Sequence, residues 1–135
     1  MKEQEIEVMS EKEEKIADIL RRLDFDKSTA KTLVYMMNKR TAHAVDIERS
    51  TDLRQPEVSN ATMKLRELGI LFTRNKPKKG KGRPRFVYIL SKPVSEIKDF
   101  ISKRAQDRIE RREKDIKALE TTKIWYSQHP VVPKS

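Results

Sequence analysis

The stretch that most constrains this chain runs from Asp46 to Leu71, DIERSTDLRQPEVSNATMKLRELGIL. It reads as two short helices joined by a tight turn. Ile47 sits on the first helix, and Leu53 comes just after the turn. Val58, Ala61, Thr62, Leu65 and Leu68 recur three or four residues apart, which puts them on one inward face of a 3.6-residue helix. The opposite face carries Glu57, Ser59, Asn60, Met63, Lys64 and Arg66. Pro56 suits a first helical turn, where its missing N–H costs nothing. Gly69 suits the residue just past a helix end, where a positive φ is often required. A short helix followed by a second with a buried stripe and a polar outer face is a helix-turn-helix candidate.

The next twenty residues extend the pattern. Ile70 to Arg74 is short and rich in β-formers, Asn75 to Pro84 is a basic loop punctuated by Gly and Pro, and Phe86 to Leu90 is a second strand-like run. Two such runs around a polar loop predict a β-hairpin. Helix, turn, helix, hairpin is the order of a winged helix. In that order, Ile47 through Leu53, Val58-Ser59, Leu65 and Gly69-Ile70-Leu71 resemble the MarR, ArsR and TrmB groups of prokaryotic transcriptional regulators. The DLRQPEVS phrase and the KGRPRFVYIL wing look most like archaeal members, and the resemblance covers roughly residues 28 to 91. One departure is Asp52, at a turn position where such proteins often carry Gly. Asp tolerates a left-handed conformation better than most residues. The resemblance implies a mainly α winged-helix domain that binds double-stranded DNA.

Charge points the same way. The chain has 135 residues and a net charge of +10, with 39% charged and 36% hydrophobic residues, so a small core carries a large solvated surface. The excess is uneven. Residues 1 to 26 hold five basic and nine acidic groups, whereas residues 72 to 86 hold seven basic groups and no acidic one. These are Arg74, Lys76, Lys78, Lys79, Lys81, Arg83 and Arg85. Such a patch can be a solvated loop. Beside a helix-turn-helix it favours a polyanion. Lys81-Gly82-Arg83-Pro84-Arg85 resembles the Gly-Arg-Pro core of an AT-hook, whose Arg enters a narrow minor groove. Lys81 stands where that motif has its first Arg. The expectation is therefore a wing tip on the backbone or minor groove, not an AT-hook.

Side chains at the N-terminal end of a recognition helix, here about residues 55 to 68, reach base edges in the major groove. Gln55 can bond adenine N6 and N7, and Glu57 can accept from cytosine N4. Ser59 and Asn60 lie one turn on. Arg54 and Lys64 suit phosphates, which position without specifying, and Pro56 opens the helix between them. Other roles fit some of these residues too. Glu57 complements a positive helix N-terminus, and Ser59 can bond local backbone.

The flanks read as helices. Residues 3 to 23 carry Ile6, Met9, Ile16, Ile19, Leu20 and Leu23 as an interrupted stripe that needs the core or another subunit as partner. Asp24 to Asp26 is a turn with Asp26 as N-cap of the next helix, Lys27 to about Asn38. Met36 and Met37 in that helix fit ordinary core packing or an adaptable pocket. A long C-terminal helix is expected from about Ser95 to Thr122. Ile101, Ala105, Ile109, Arg112, Ile116 and Leu119 form its dimerisation face, the last four spaced as a short coiled-coil seam. Ile124 to Ser135, with Pro130 and Pro133, reads as an extended tail that Trp125 and Tyr126 could anchor.

Catalytic patterns are missing. There is no Cys, and His43 and His129 lie in different segments, outside any metal-ligand spacing or Gly-rich phosphate loop. No cofactor, metal or membrane partner is implied, and no effector is named. The acidic N-terminus lacks the apolar centre of a signal peptide, so the expected location is cytoplasmic, on the nucleoid. The organisation expected is an N-terminal helix over 1–23, a winged helix-turn-helix over 24–93, a dimerising helix over 94–123 and a tail over 124–135. The function expected is that of a homodimeric, sequence-specific, non-enzymatic regulator. A low-specificity architectural DNA binder and a winged-helix protein-interaction module are the competing readings.

Overall fold

The computed structural model describes residues 8–76 and 85–129. The elements are α1 (Glu11–Arg22), α2 (Lys27–Lys39), β1 (Thr41–Ala42), α3 (Ala44–Thr51), α4 (Gln55–Glu67), β2 (Leu71–Lys76), β3 (Arg85–Leu90) and α5 (Val94–Gln128). Two compact units divide after Ile97.

In the first unit, α2 is the central element and packs against α1, α3 and α4. Leu33 and Met36 of α2, Ile47 of α3, and Val58 and Leu65 of α4 are all buried. Full burial of each such side chain contributes about 1.5–3 kcal/mol. Met36 is thus a core residue. The stripe expected on α4 is present: Val58, Ala61, Thr62 and Leu65 are buried and Leu68 is half-buried. Thr62 satisfies its hydroxyl by donating to the Val58 carbonyl at 2.9 Å.

Chain reversals use left-handed residues where the helices end. Gly69 has φ +76°. Its N–H donates to the Arg66 carbonyl, and the Ile70 N–H donates to the Leu65 carbonyl at 2.9 Å. This pair of hydrogen bonds closes α4, with Leu65 and Ile70 both buried behind it. Asp52 ends α3 at φ 56°, ψ 36°, so the departure from Gly at the turn is accommodated in the left-handed region. Asp24 plays the same part after α1 at φ 74°, where the Phe25 N–H reaches the Leu20 carbonyl at 3.1 Å.

The hairpin is present, and it gains a strand that the sequence did not signal. β2 and β3 pair antiparallel from Leu71↔Leu90 to Lys76↔Arg85. The two-residue β1 joins the other edge of β3 through Thr41↔Ile89 and Ala42↔Tyr88, making a sheet of order β1-β3-β2. Two residues are too few for alternation to show. β3 is less buried than an inner strand would be: Phe86 is exposed, and Val87 through Leu90 are half-buried.

The N-terminal helix is shorter than expected. It starts at Glu11, where Ser10 and Glu13 form a reciprocal capping box with bonds of 3.1 and 3.2 Å. Met9 lies outside the helix and is buried, its N–H on the Ser50 carbonyl at 3.2 Å. The helix buries Ala17 and Leu20, while Ile16 and Ile19 of the expected stripe are exposed. Ile6 lies outside the described residues.

The C-terminal helix is longer than expected. α5 has 35 residues, about 52 Å of helix. It passes the expected end at residue 123 and continues to Gln128, so residues 124–128 are helical and not an extended tail. Trp125 stacks on His129 with ring centroids 4.3 Å apart, a local contact within one helical turn.

Candidate nucleic-acid interface

The outer face of α4 is presented by its cap and by its ties to α2. Arg54 is the N-cap, exposed, and its backbone N–H donates to the Glu57 carboxylate at 3.1 Å. Gln55 and Pro56 open the helix, as the absent N–H of Pro allows. Gln55, Ser59, Asn60 and Lys64 are exposed on one side, and Glu57 is half-buried.

Two contacts hold this helix to the start of α2. Ser28 Oγ donates to Glu57 Oε2 at 3.2 Å. Lys64 Nζ lies 3.0 Å from Asp26 Oδ1, with both side chains about half exposed. Asp26 also caps α2 through the Thr29 N–H at 3.2 Å. Glu57 therefore has a structural role, capping α4 and joining it to α2. The Arg54 N–H bond is the leading reason its pKa lies below the ordinary value, and desolvation opposes that bond without cancelling it. Lys64 shares its charge with Asp26.

Beside α4 lies a cleft of about 550 Å³. Gln55, Val58 and Ser59 of α4 form one wall, and Phe86 and Tyr88 of β3 form the other. His43 through Asp46, at the start of α3, close the end. His43 is the N-cap of α3; its backbone N–H donates to Asp46 Oδ2 at 3.1 Å. Its ring Nδ1 is 3.2 Å from the Phe86 carbonyl. A carbonyl only accepts, so Nδ1 carries the proton in this bond. The bond fastens the loop end of β3 to the start of the helix-turn-helix. Val45 is 46% exposed and Phe86 54% exposed. Val45 carries no signal in the sequence, being a single apolar residue outside a periodic stripe, and Phe86 is visible there only as the first residue of a strand-like run, with nothing to mark it as exposed.

Of the wing residues, Arg74 is exposed on β2. Lys76 and Arg85 pair across the outer end of the hairpin. Lys78, Lys79, Lys81 and Arg83 lie outside the described residues. On α5, Ile101 is buried. Ala105 is half-buried, while Ile109, Arg112, Ile116 and Leu119 are exposed along one face. Among the described residues no group of three His, Asp or Glu side chains could hold a metal ion, and no helix is long and apolar enough to cross a membrane.

No protein-family model and no curated protein sequence matches the chain. Solved structures do. One is a possible transcriptional regulator from Methanosarcina mazei Go1, with TM-score 0.60 and 20% identity over 77% of this chain and 88% of that one. Another is TrmBL2, described as an archaeal chromatin protein with a novel mode of DNA binding. It matches with TM-score 0.59 and 17% identity over 91% of this chain and 47% of its own length. NadR in complex with 4-hydroxyphenylacetate matches with TM-score 0.50 and 13% identity over 88% of this chain and 84% of that one. The chain has a winged-helix fold, shared with solved structures that include the possible transcriptional regulator from Methanosarcina mazei and the archaeal chromatin protein.

Proposed function

We propose that the chain is a double-stranded DNA-binding transcriptional regulator that acts as a homodimer without catalysing a reaction. The observation that carries this reading is the pairing of two surfaces. The exposed row Gln55, Ser59 and Asn60 sits at the N-terminal end of a well-anchored α4. The hairpin beside it, with its loop, carries seven basic residues between Phe72 and Phe86 and no acidic one. A helix end of this kind fits the major groove and reads base edges. The basic loop adds phosphate contacts on the backbone or in the minor groove. Arg54 and Lys64 flank the row as phosphate contacts. The exposed face from Ile109 to Leu119 supplies the dimer contact.

A second reading is an architectural chromosomal protein of low specificity. The similarity to a structure described as a chromatin protein is the observation that favours it. Salt titration of duplex binding tests the electrostatic part of both readings. Each phosphate neutralised contributes about −0.9 to the slope of log K against log salt. Replacing Lys79, Lys81 and Arg83 together with Ala should make that slope shallower by about two units and leave the fold intact. An unchanged slope and affinity would show that the wing charge is only solvated. Mapping of bound DNA across the genome separates sharp sites from broad coating.

A further inference from the structure

We infer that the cleft between α4 and β3 receives the 5-methyl edge of a thymine, with Val45 and Phe86 as the residues that recognise it. This rests on the reading of α4 as the major-groove helix. Gln55 forms part of the cleft wall, so a base edge bonded by Gln55 lies at the mouth of the cleft. Gln bonds adenine through N6 and N7. The thymine paired with that adenine, or stacked next to it, presents its methyl group in the same groove.

The chemistry of the cleft selects a methyl over a phosphate. Its described lining contains no Lys or Arg and includes the Asp46 carboxylate. An anionic phosphate would meet that carboxylate with no cation opposite. The apolar surface is there instead: Val45 and Phe86 are both about half exposed, and buried Val58 also lines the cleft. Apolar contact is how proteins detect the thymine methyl. The 3.2 Å bond between His43 Nδ1 and the Phe86 carbonyl ties the β3 wall to the end of the cleft at the start of α3, so Phe86 and the segment that carries Val45 are held together.

The experiment uses the full chain and a duplex selected from a random pool for tight binding. Each thymine is replaced singly by deoxyuridine, which removes the methyl and nothing else. At one or two positions the affinity should fall about four-fold, the effect of burying one methyl group. In Val45→Ala or Phe86→Ala the same replacement should have little effect, because the methyl has lost its partner. Both side chains are exposed enough that neither change disturbs the core, and binding to random duplex should persist. Equal affinity for thymine and uracil at every position overturns the inference, as does a selected site without thymine. A uracil penalty that survives both substitutions also overturns it, since the methyl would then be read elsewhere. Absence of any duplex binding would instead overturn the proposed function on which the inference rests.

Discussion

Asp26 joins two helices with one carboxylate. It caps α2 through the Thr29 N–H, accepts the Thr29 hydroxyl at 2.7 Å and pairs with Lys64 of α4. Partial burial alone would raise its pKa, but the hydrogen bonds from Thr29 and Lys64 together outweigh it and hold the group below the ordinary value of 3.8. Glu57 is lowered too, chiefly by the Arg54 N–H. Carboxylates lowered by folding add stability above their unfolded values, and that stability is lost as pH falls through the folded values. Asp26→Ala should therefore cost about 1 kcal/mol near neutral pH, the usual loss of an N-cap. The cost should shrink well below 3.8, where the wild-type group is protonated. Urea unfolding at both pH values checks this, and an equal cost at both would show that charge plays no part. At this scale much was legible. Asp26 as a cap, Gly69 beyond a helix end and Asp52 at the turn each follow from residue chemistry. Arg40 at φ 69° was not legible, because Arg carries no left-handed preference. Its position is set by neighbours: its carbonyl accepts the Leu90 N–H at 2.8 Å, tying the end of α2 to β3.

Whole elements were legible where periodicity or turn chemistry ran long enough. α2 and α4 match their expected spans within a residue or two, because both carry caps and buried stripes. The start of α1 is hidden in the sequence, because Met9 and Ile6 extend an apolar spacing past the true cap at Ser10. The end of α5 is obscured because Trp125 and Tyr126 resemble a tail anchor, yet nothing before Pro130 breaks the helix. The added turn lengthens the helix beyond the exposed face of Ile109, Ile116 and Leu119. Leu119 is 69% exposed in the single chain, and exposed apolar positions at such spacing favour association with another helix. Sedimentation of the full chain at micromolar concentration should give a dimer. Removal of residues 104–135 should leave a folded monomer, because the first compact unit ends at Ile97. A full-length monomer would contradict dimerisation through α5.

For the molecule as a whole, the order helix, turn, helix, hairpin was enough to anticipate the winged helix. The cleft was not legible, because it is assembled from three separated segments: His43–Asp46, Gln55–Ser59 and Phe86–Tyr88. Only folding brings them together, and the His43 bond to the Phe86 carbonyl has no trace in local sequence. Gln55 stands on the wall of that cleft, exposed at the start of α4, and the proposed reading of bases depends on it more than on any other side chain. The direct measurement is the affinity of Gln55→Ala for a selected duplex and for a random duplex at one salt concentration. Base reading by Gln55 predicts a loss of about 1–3 kcal/mol on the selected duplex, with binding to random DNA almost unchanged. Equal losses on both duplexes, or no loss on either, would contradict base reading by α4.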